Sequence, residues 1–245
     1  MSPAARAHRL SPWGTLVAAC AVVVGGVALT LGVWSLASTH ERRVSYTVRG
    51  ALSAMMLDLG DADLVVERAG RGGAVSVEHV DRYGFGHAAQ ARRSVDGGVF
   101  RVGSHCPHTV LHGCSVRYRV RVPDNLPLTV RTGSGSVTLR GYRGSARITS
   151  GTGDVDVQGF CGFSLRVESE HGGDVSAATA CPPPLLALRS TTGSVHVRVP
   201  SGRYRVDAST SGSKPVVRGI SSISDAPFMI QALSGSGRVV VERAP

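Results

Sequence analysis

The densest set of chemically capable residues lies in SHCPHTVLHGC, residues 104–114, where His105, His108 and His112 accompany Cys106 and Cys114. Imidazole and thiolate are zinc ligands, but the spacing matches no usual finger or ribbon. Oxidation of the two cysteines to a disulfide-closed loop would remove them as ligands, and this is the expected state. Cys161 and Cys181 form a second natural pair, 20 residues apart. Four paired cysteines suit an oxidising compartment. The fifth, Cys20, sits in an apolar run and is expected to be a free thiol. No metal site and no cofactor is expected.

Acids and arginines supply the remaining candidates. Asp154, Asp156, Glu168, Glu170 and Asp174 could gather across two neighbouring repeats, as a polysaccharide-cleaving enzyme would need. Solvated outward side chains are the preferred reading, because the expected companions of a catalytic pair are missing. The aspartates do not recur with the nonapeptide period of a calcium-binding β-roll. Gly133-Ser134-Gly135-Ser136 lacks the Lys-Ser/Thr ending of a phosphate loop. His171 near serine-rich turns comes with no nucleophile elbow. No catalytic residue is therefore assigned, and the chain is read as a non-enzyme. Arg117, Arg119 and Arg121 alternate along one segment, and Arg140, Arg147 and Arg166 fall at outward strand positions. Aligned by stacking, these six would form an anion-binding surface. The net charge of +10 agrees with an anionic partner. Nucleic acid is disfavoured, because stacking aromatics are scarce.

What could align such residues is an internal repeat. TGSGSVTL (132–139), SGTGDVDV (150–157), EHGGDVSA (170–177) and STTGSVHV (190–197) restate one phrase, with weaker copies TSGSKPVV (210–217) and LSGSGRVVV (233–241). Val137, Val155, Val175 and Val195 mark the register. Second strands lie between the copies, as in Ser145–Thr149, Phe163–Val167, Leu185–Arg189 and Tyr204–Ala208. A unit of turn, strand, turn, strand cannot bury its own apolar face and must stack on its neighbours. The fold class expected is all-β, a β-solenoid or β-roll-like repeat domain over residues 44–243. Residues 84–97 read as a loop or short helix across an edge. In that stack Cys161 and Cys181 would sit one coil apart, within disulfide reach. Exposed ends of the stack would allow self-association.

Ahead of the repeats, Trp13 to Trp34 holds 22 residues without a charge. At the helical rise this is about 33 Å, enough for a bilayer core. A cleaved signal peptide is the rival reading, with Leu36-Ala37-Ser38 as a cleavage site, but the run exceeds the usual apolar region. The expected organisation is a short cytoplasmic tail (1–12), a single transmembrane helix (13–37), a linker (38–43) and the β-domain. Arg6 and Arg9 before the helix and Arg42 and Arg43 after it leave orientation to the cysteines, which place the domain outside the cytoplasm. One lysine, Lys214, against many arginines suggests a GC-rich bacterial genome.

The SGSG-type turns, VRVP at 120–123 and LDLGDADLVVE at 57–67 resemble the DUF4097 family of β-repeat, putative adhesin proteins. The resemblance covers about residues 44–243, and 81–115 reads as an insert beyond the simple repeat. It implies a membrane-attached, envelope-facing protein that binds or adheres, with no established catalytic residues. The leading expectation is a non-enzymatic, membrane-anchored cell-envelope protein with an adhesin-like surface for anionic wall polymers or envelope proteins. An envelope-stress sensor acting through a membrane partner is one alternative. A wall polysaccharide-acting enzyme is another.

Overall fold

The computed structural model describes residues 12–37, 39–84, 88–107 and 114–244. His108 and His112 of the histidine-rich segment, and the tail through residue 11, lie outside these. One helix, α1 (Pro12–Ala37), precedes the strands. The N-terminal strands are β1 (Thr39–Val48), β2 (Ala54–Asp58), β3 (Asp63–Gly70), β4 (Val75–Gly84), β5 (Gln90–Asp96), β6 (Val99–His105) and β7 (Cys114–Pro123). Six strand pairs follow. They are β8 (Leu128–Thr132) with β9 (Val137–Arg140), β10 (Ser145–Ser150) with β11 (Val155–Phe160), β12 (Ser164–Ser169) with β13 (Val175–Thr179), β14 (Leu185–Ser190) with β15 (Val195–Val199), β16 (Tyr204–Thr210) with β17 (Val216–Arg218), and β18 (Phe228–Ser234) with β19 (Val239–Arg243).

The chain is mostly β, in two large mixed sheets. The first has ten strands in the order β1-β4-β7-β3-β9-β11-β13-β15-β19-β17, and the second has nine, β16-β18-β14-β12-β10-β8-β2-β6-β5. From β6 onward the strands alternate between sheets, so each pair forms one rung. Neighbouring rungs pair in parallel. The repeat valines stack as the spacing requires: Val137 lies opposite Val155, Val155 opposite Val175, and Val175 opposite Val195. Period-2 alternation sends one face of each strand inward. Val155, Val157, Leu165, Val167, Leu186 and Leu188 are among the buried core residues between the sheets.

Rung order departs from chain order at both ends. The β2–β3 rung lies between the β6–β7 and β8–β9 rungs, and β18–β19 lies between β14–β15 and β16–β17. Val195 therefore pairs with Val239, and the copy at 210–217 is outermost. Pro215 gives the physical reason. In earlier rungs the N–H at this register position donates to the next rung, as Val155 does to Asp174 O at 2.9 Å and Val175 to Ser194 O at 2.8 Å. Proline has no N–H to offer, so it suits an end position.

The N-terminal end is built differently. β1 and β4 extend the first sheet antiparallel, and β5 extends the second. Two expectations change here. Residues 39–43, read as linker, begin β1, because they pair in register with Val80 to Gly84. Part of 84–97, read as loop or helix, is strand β5, paired with β6 across the Gly97-Gly98 turn.

Among the described residues no helix is long and apolar enough to cross a membrane. The helix spans 26 residues, and its side chains are described from Leu16 to Thr30. Those side chains are exposed, Leu16, Val22 and Leu29 among them. Thr30 is the polar exception, and its hydroxyl donates back to Gly26 O at 2.9 Å.

Candidate functional site

The six arginines expected to share one surface are divided between two faces. Arg117, Arg119 and Arg121 project from β7 on the first sheet, and each has an acid in register: Asp63, Glu78 and Glu67 respectively. Arg121 Nε lies 3.6 Å from the Glu67 carboxylate. Arg140 is opposite Glu67 as well. Charges of both signs are thus interleaved on this face. Arg147 and Arg166 lie side by side on the second sheet, on β10 and β12. With Arg189 they line a shallow groove of about 270 Å³, whose other lining includes Glu168, Gln231 and Leu233. Glu168 is the one carboxylate of that lining and sits opposite Arg189. Adjacent like charges across a strand pair repel. An anion bridging Arg147 and Arg166 would relieve that repulsion.

The five acids are divided too. Glu168 faces outward on the second sheet, Glu170 lies in the turn after β12, Asp156 is on the first sheet, and Asp154 and Asp174 stand just ahead of its strands β11 and β13. Asp154 accepts the N–H of Asp174 at 2.8 Å, and Asp174 accepts that of Ser194 at 2.7 Å. Asp63 does the same for Ser136 at 3.1 Å. Each carboxylate ties its rung to the next, and Asp156 accepts from the Ser176 hydroxyl.

Both expected disulfides are present. Cys106 and Cys114, with Cα atoms 5.7 Å apart, join the end of β6 to the start of β7. Cys161 and Cys181, 5.1 Å apart, join successive rungs just beyond β11 and β13. Cys20 is free and exposed. Among the described residues no group of three or more His, Cys, Asp or Glu converges as a metal site would need.

Two features escaped sequence reading. The first is a column of buried hydroxyls where the second sheet turns toward the first: Thr132, Ser150, Ser169, Ser190 and Ser234, in mutual register. Ser190 accepts the N–H of Gly193 in its own turn at 2.9 Å and donates to Gly173 O of the preceding rung at 2.9 Å. Ser234 repeats this with Gly237 and Gly193, both at 2.8 Å. A Cβ on Gly153, Gly173 or Gly193 would strike the carbonyl oxygen of the equivalent glycine one rung back. The Ser-x-x-Gly spacing in the repeat was the available signal.

The second is a cavity of about 490 Å³ at the N-terminal end, where the two sheets part. Its lining includes Arg42 and Tyr46 of β1, His79 and Asp81 of β4, Arg93 of β5 and Val102 of β6. His79 and Asp81 are only 6% and 3% exposed, yet both are polar. Their facing atoms, His79 Nε2 and Asp81 Oδ2, are 3.7 Å apart. Among the described residues His79 Nδ1 and Asp81 Oδ1 have no hydrogen-bond partner, nor have the hydroxyls of Ser104 and Tyr118 beside them. The Tyr118 ring lies 5.1 Å from the imidazole. Burial pushes His79 below its ordinary value, against the pull of Asp81 and helped by Arg42 and Arg93. Burial raises the Asp81 carboxyl, with His79 and Arg42 opposing. The Tyr118 phenol is pushed up to about 12, mainly by burial, and the Ser104 hydroxyl, close enough to act on it though not in hydrogen-bonding geometry, works the other way. Arg93 stacks over the Tyr46 ring at 4.6 Å.

No family model matches the chain, and none of the curated proteins does. Solved structures do resemble it. A putative cell adhesion protein from Clostridium sporogenes aligns with 84% of this chain and all of its own, at 10% identity and a TM-score of 0.48. A putative adhesin from Bacteroides fragilis aligns with 84% of this chain and 97% of its own, at 12% identity and a TM-score of 0.41. A putative lipid binding protein from Parabacteroides distasonis aligns with 83% of this chain and 97% of its own, at 9% identity and a TM-score of 0.39.

Proposed function

We propose that the chain is a non-enzymatic, membrane-anchored cell-envelope protein of the DUF4097 type, whose extracytoplasmic β-solenoid is an adhesin-like surface for anionic envelope polymers. The observation that carries the binding reading is the second-sheet groove, where Arg147, Arg166 and Arg189 meet a single acid, Glu168. Arg147 and Arg166 stand on neighbouring rungs, about 4.8 Å apart, so a phosphate or carboxylate of a polymer can bridge them, with Arg189 on the next rung beside them. Anchoring rests on the uncharged run from Trp13 to Trp34, within a helix of 26 residues. Its described apolar side chains have no protein cover, and lipid would provide it. The extracytoplasmic side is supported by the two disulfides.

The test is binding of the full chain in zwitterionic nanodiscs to polygalacturonate and to a glycerol-phosphate polymer, across a salt series. Affinity for at least one should fall steeply with salt, because exposed charges are screened. Replacing Arg147, Arg166 and Arg189 together by Gln should weaken it at least about tenfold and flatten the salt dependence. Unchanged binding by the triple variant would remove the groove from the function.

A further inference from the structure

The cavity at the N-terminal end is separate from the arginine groove. It lies between β1, β4, β5 and β6, whereas the groove runs over β10, β12, β14 and β18. Its walls and floor differ in chemistry. Toward the mouth stand the guanidinium groups of Arg42 and Arg93, the latter held over Tyr46. A stacked guanidinium is oriented and keeps its edge N–H groups free for an oxyanion. At the floor, His79 Nδ1 and Asp81 Oδ1 lie within the sandwich without partners among the described residues. Buried polar atoms are normally paired, so a ligand hydroxyl that turns either side chain toward the cavity would supply a partner for an atom otherwise left open. Asp81 Oδ1 accepts, and imidazole Nδ1 accepts or donates by tautomer. A hydroxyl does both, and so complements the two together.

We propose that this cavity binds a small anionic polyol: a phosphate or carboxylate held by Arg42 and Arg93, with neighbouring hydroxyls reaching Asp81 and His79. Either half of the ligand alone is a poor match. A bare anion leaves the floor unpaired, and a neutral polyol leaves the arginines unpaired. The volume of about 490 Å³ suits one sugar-sized unit. Sugar acids and glycerol phosphate both have this chemistry, and the second also occurs as a lipid headgroup. β1 begins at Thr39, two residues after α1 ends, and carries Arg42 and Tyr46 into the wall. An anchored α1 would thus hold the mouth near the membrane surface.

Isothermal titration of the full chain in phosphatidylcholine nanodiscs tests this with glucuronate, glycerol 3-phosphate, glucose, glycerol and inorganic phosphate. At least one anionic polyol should bind saturably, with its neutral parent and inorganic phosphate at least about tenfold weaker. Arg42→Gln with Arg93→Gln, and separately Asp81→Asn, should each weaken binding about tenfold or more. Should Asp81→Asn fail to fold, the rim double variant still carries the test. Titrations repeated in the triple replacement of Arg147, Arg166 and Arg189, which removes any contribution of the groove, should retain the component that depends on Arg42 and Arg93, so the groove and the cavity fail or stand separately. No binding of either anionic polyol in the millimolar range, equal affinity for inorganic phosphate, or indifference to the rim variants would overturn the proposal. Nanodiscs containing phosphatidylglycerol distinguish the sources. Weaker apparent binding of glycerol 3-phosphate there identifies the lipid headgroup as occupant, and unchanged binding identifies a soluble or polymer-borne unit.

Discussion

The middle of the stack and its N-terminal end use the same two-sheet frame but treat buried polar groups in opposite ways. In the middle, the column of register hydroxyls is built into relays: the hydroxyl of Ser190 joins Gly193 of its own turn to Gly173 of the rung before, and Thr179 is the one buried hydroxyl there without a partner among the described residues. At the N-terminal end, His79, Asp81, Ser104 and Tyr118 are equally buried and carry open donors or acceptors. A satisfied buried network holds a fold, whereas an unsatisfied one costs stability and persists where it serves something else. The repeated middle is therefore scaffold, and the antiparallel end, assembled from β1, β4 and β5, is where recognition by a pocket can arise.

The sharpest way to break this contrast is through glycine. Gly153→Val places a Cβ against the Gly135 carbonyl, which sits in a rung that cannot retreat. The expected loss is about 3 kcal/mol or more, a drop of about 6–12 °C in Tm for a domain of this size. Gly97→Ala in the β5–β6 turn meets no neighbouring atom, though its φ of +55° is left-handed. It should cost only about 1 kcal/mol. Equal losses in thermal unfolding would mean that the middle is no more tightly specified than the end.

Serine gives a finer comparison. Ser169 is fully buried and accepts the Gly173 N–H at 2.7 Å. Ser169→Ala orphans that donor and should cost about 1–3 kcal/mol. Ser104 is almost as buried, at 4% exposure, but has no partner among the described residues. Ser104→Ala removes an unpaired hydroxyl and should be neutral or stabilising in urea unfolding. A loss at Ser104 matching that at Ser169 would show that the end is as fully hydrogen-bonded as the middle.

The same division explains what could be read from the sequence. The middle was legible because every rung repeats one local demand. Glycine is needed where a Cβ would hit the previous rung, and valine two positions after that glycine is needed inside, so residues 137, 155, 175 and 195 announced their own stacking. Cys161 and Cys181 followed from that register. The order of the last two copies was not legible from spacing, since both fit the phrase, although Pro215 marks the one unable to pass a hydrogen bond onward. The anion surface was misread as one strip because strand alternation shows which side chains point outward but not from which of two sheets. The cavity was hidden for another reason. Arg42, His79 and Arg93 are distant in sequence, and Arg42 and Arg93 fall in stretches that read as linker and as loop or short helix. Only the antiparallel pairing of β1 with β4, and of β5 with β6, brings them to one mouth.

The smallest effect, and the most specific to the end, is the dependence of stability on pH. His79 faces Asp81 on its own strand, Tyr118 on β7, Arg42 on β1 and Arg93 on β5. Burial lowers its pKa on folding, so the folded chain resists a proton that the unfolded chain accepts. Its contribution is complete above the ordinary value of 6.5 and is lost as pH falls through that value toward the depressed one. Asp81 acts with the opposite sign. Its raised pKa gives stability at low pH that is lost as pH climbs from 3.8 through the folded value. Acidification from neutrality should therefore first reduce stability through His79 and then, lower down, recover part of it through Asp81. The difference between His79→Gln and the parent chain, measured as urea midpoints in steps of pH, should change just below 6.5 and stay level above it. Asp81→Asn should remove the lower limb and, by taking away the carboxylate that pulls the His79 pKa up, deepen the loss below 6.5. A His79→Gln difference curve flat across that window would place the imidazole in contact with water, and would remove the buried, unpaired His79 on which the contrast between end and middle depends.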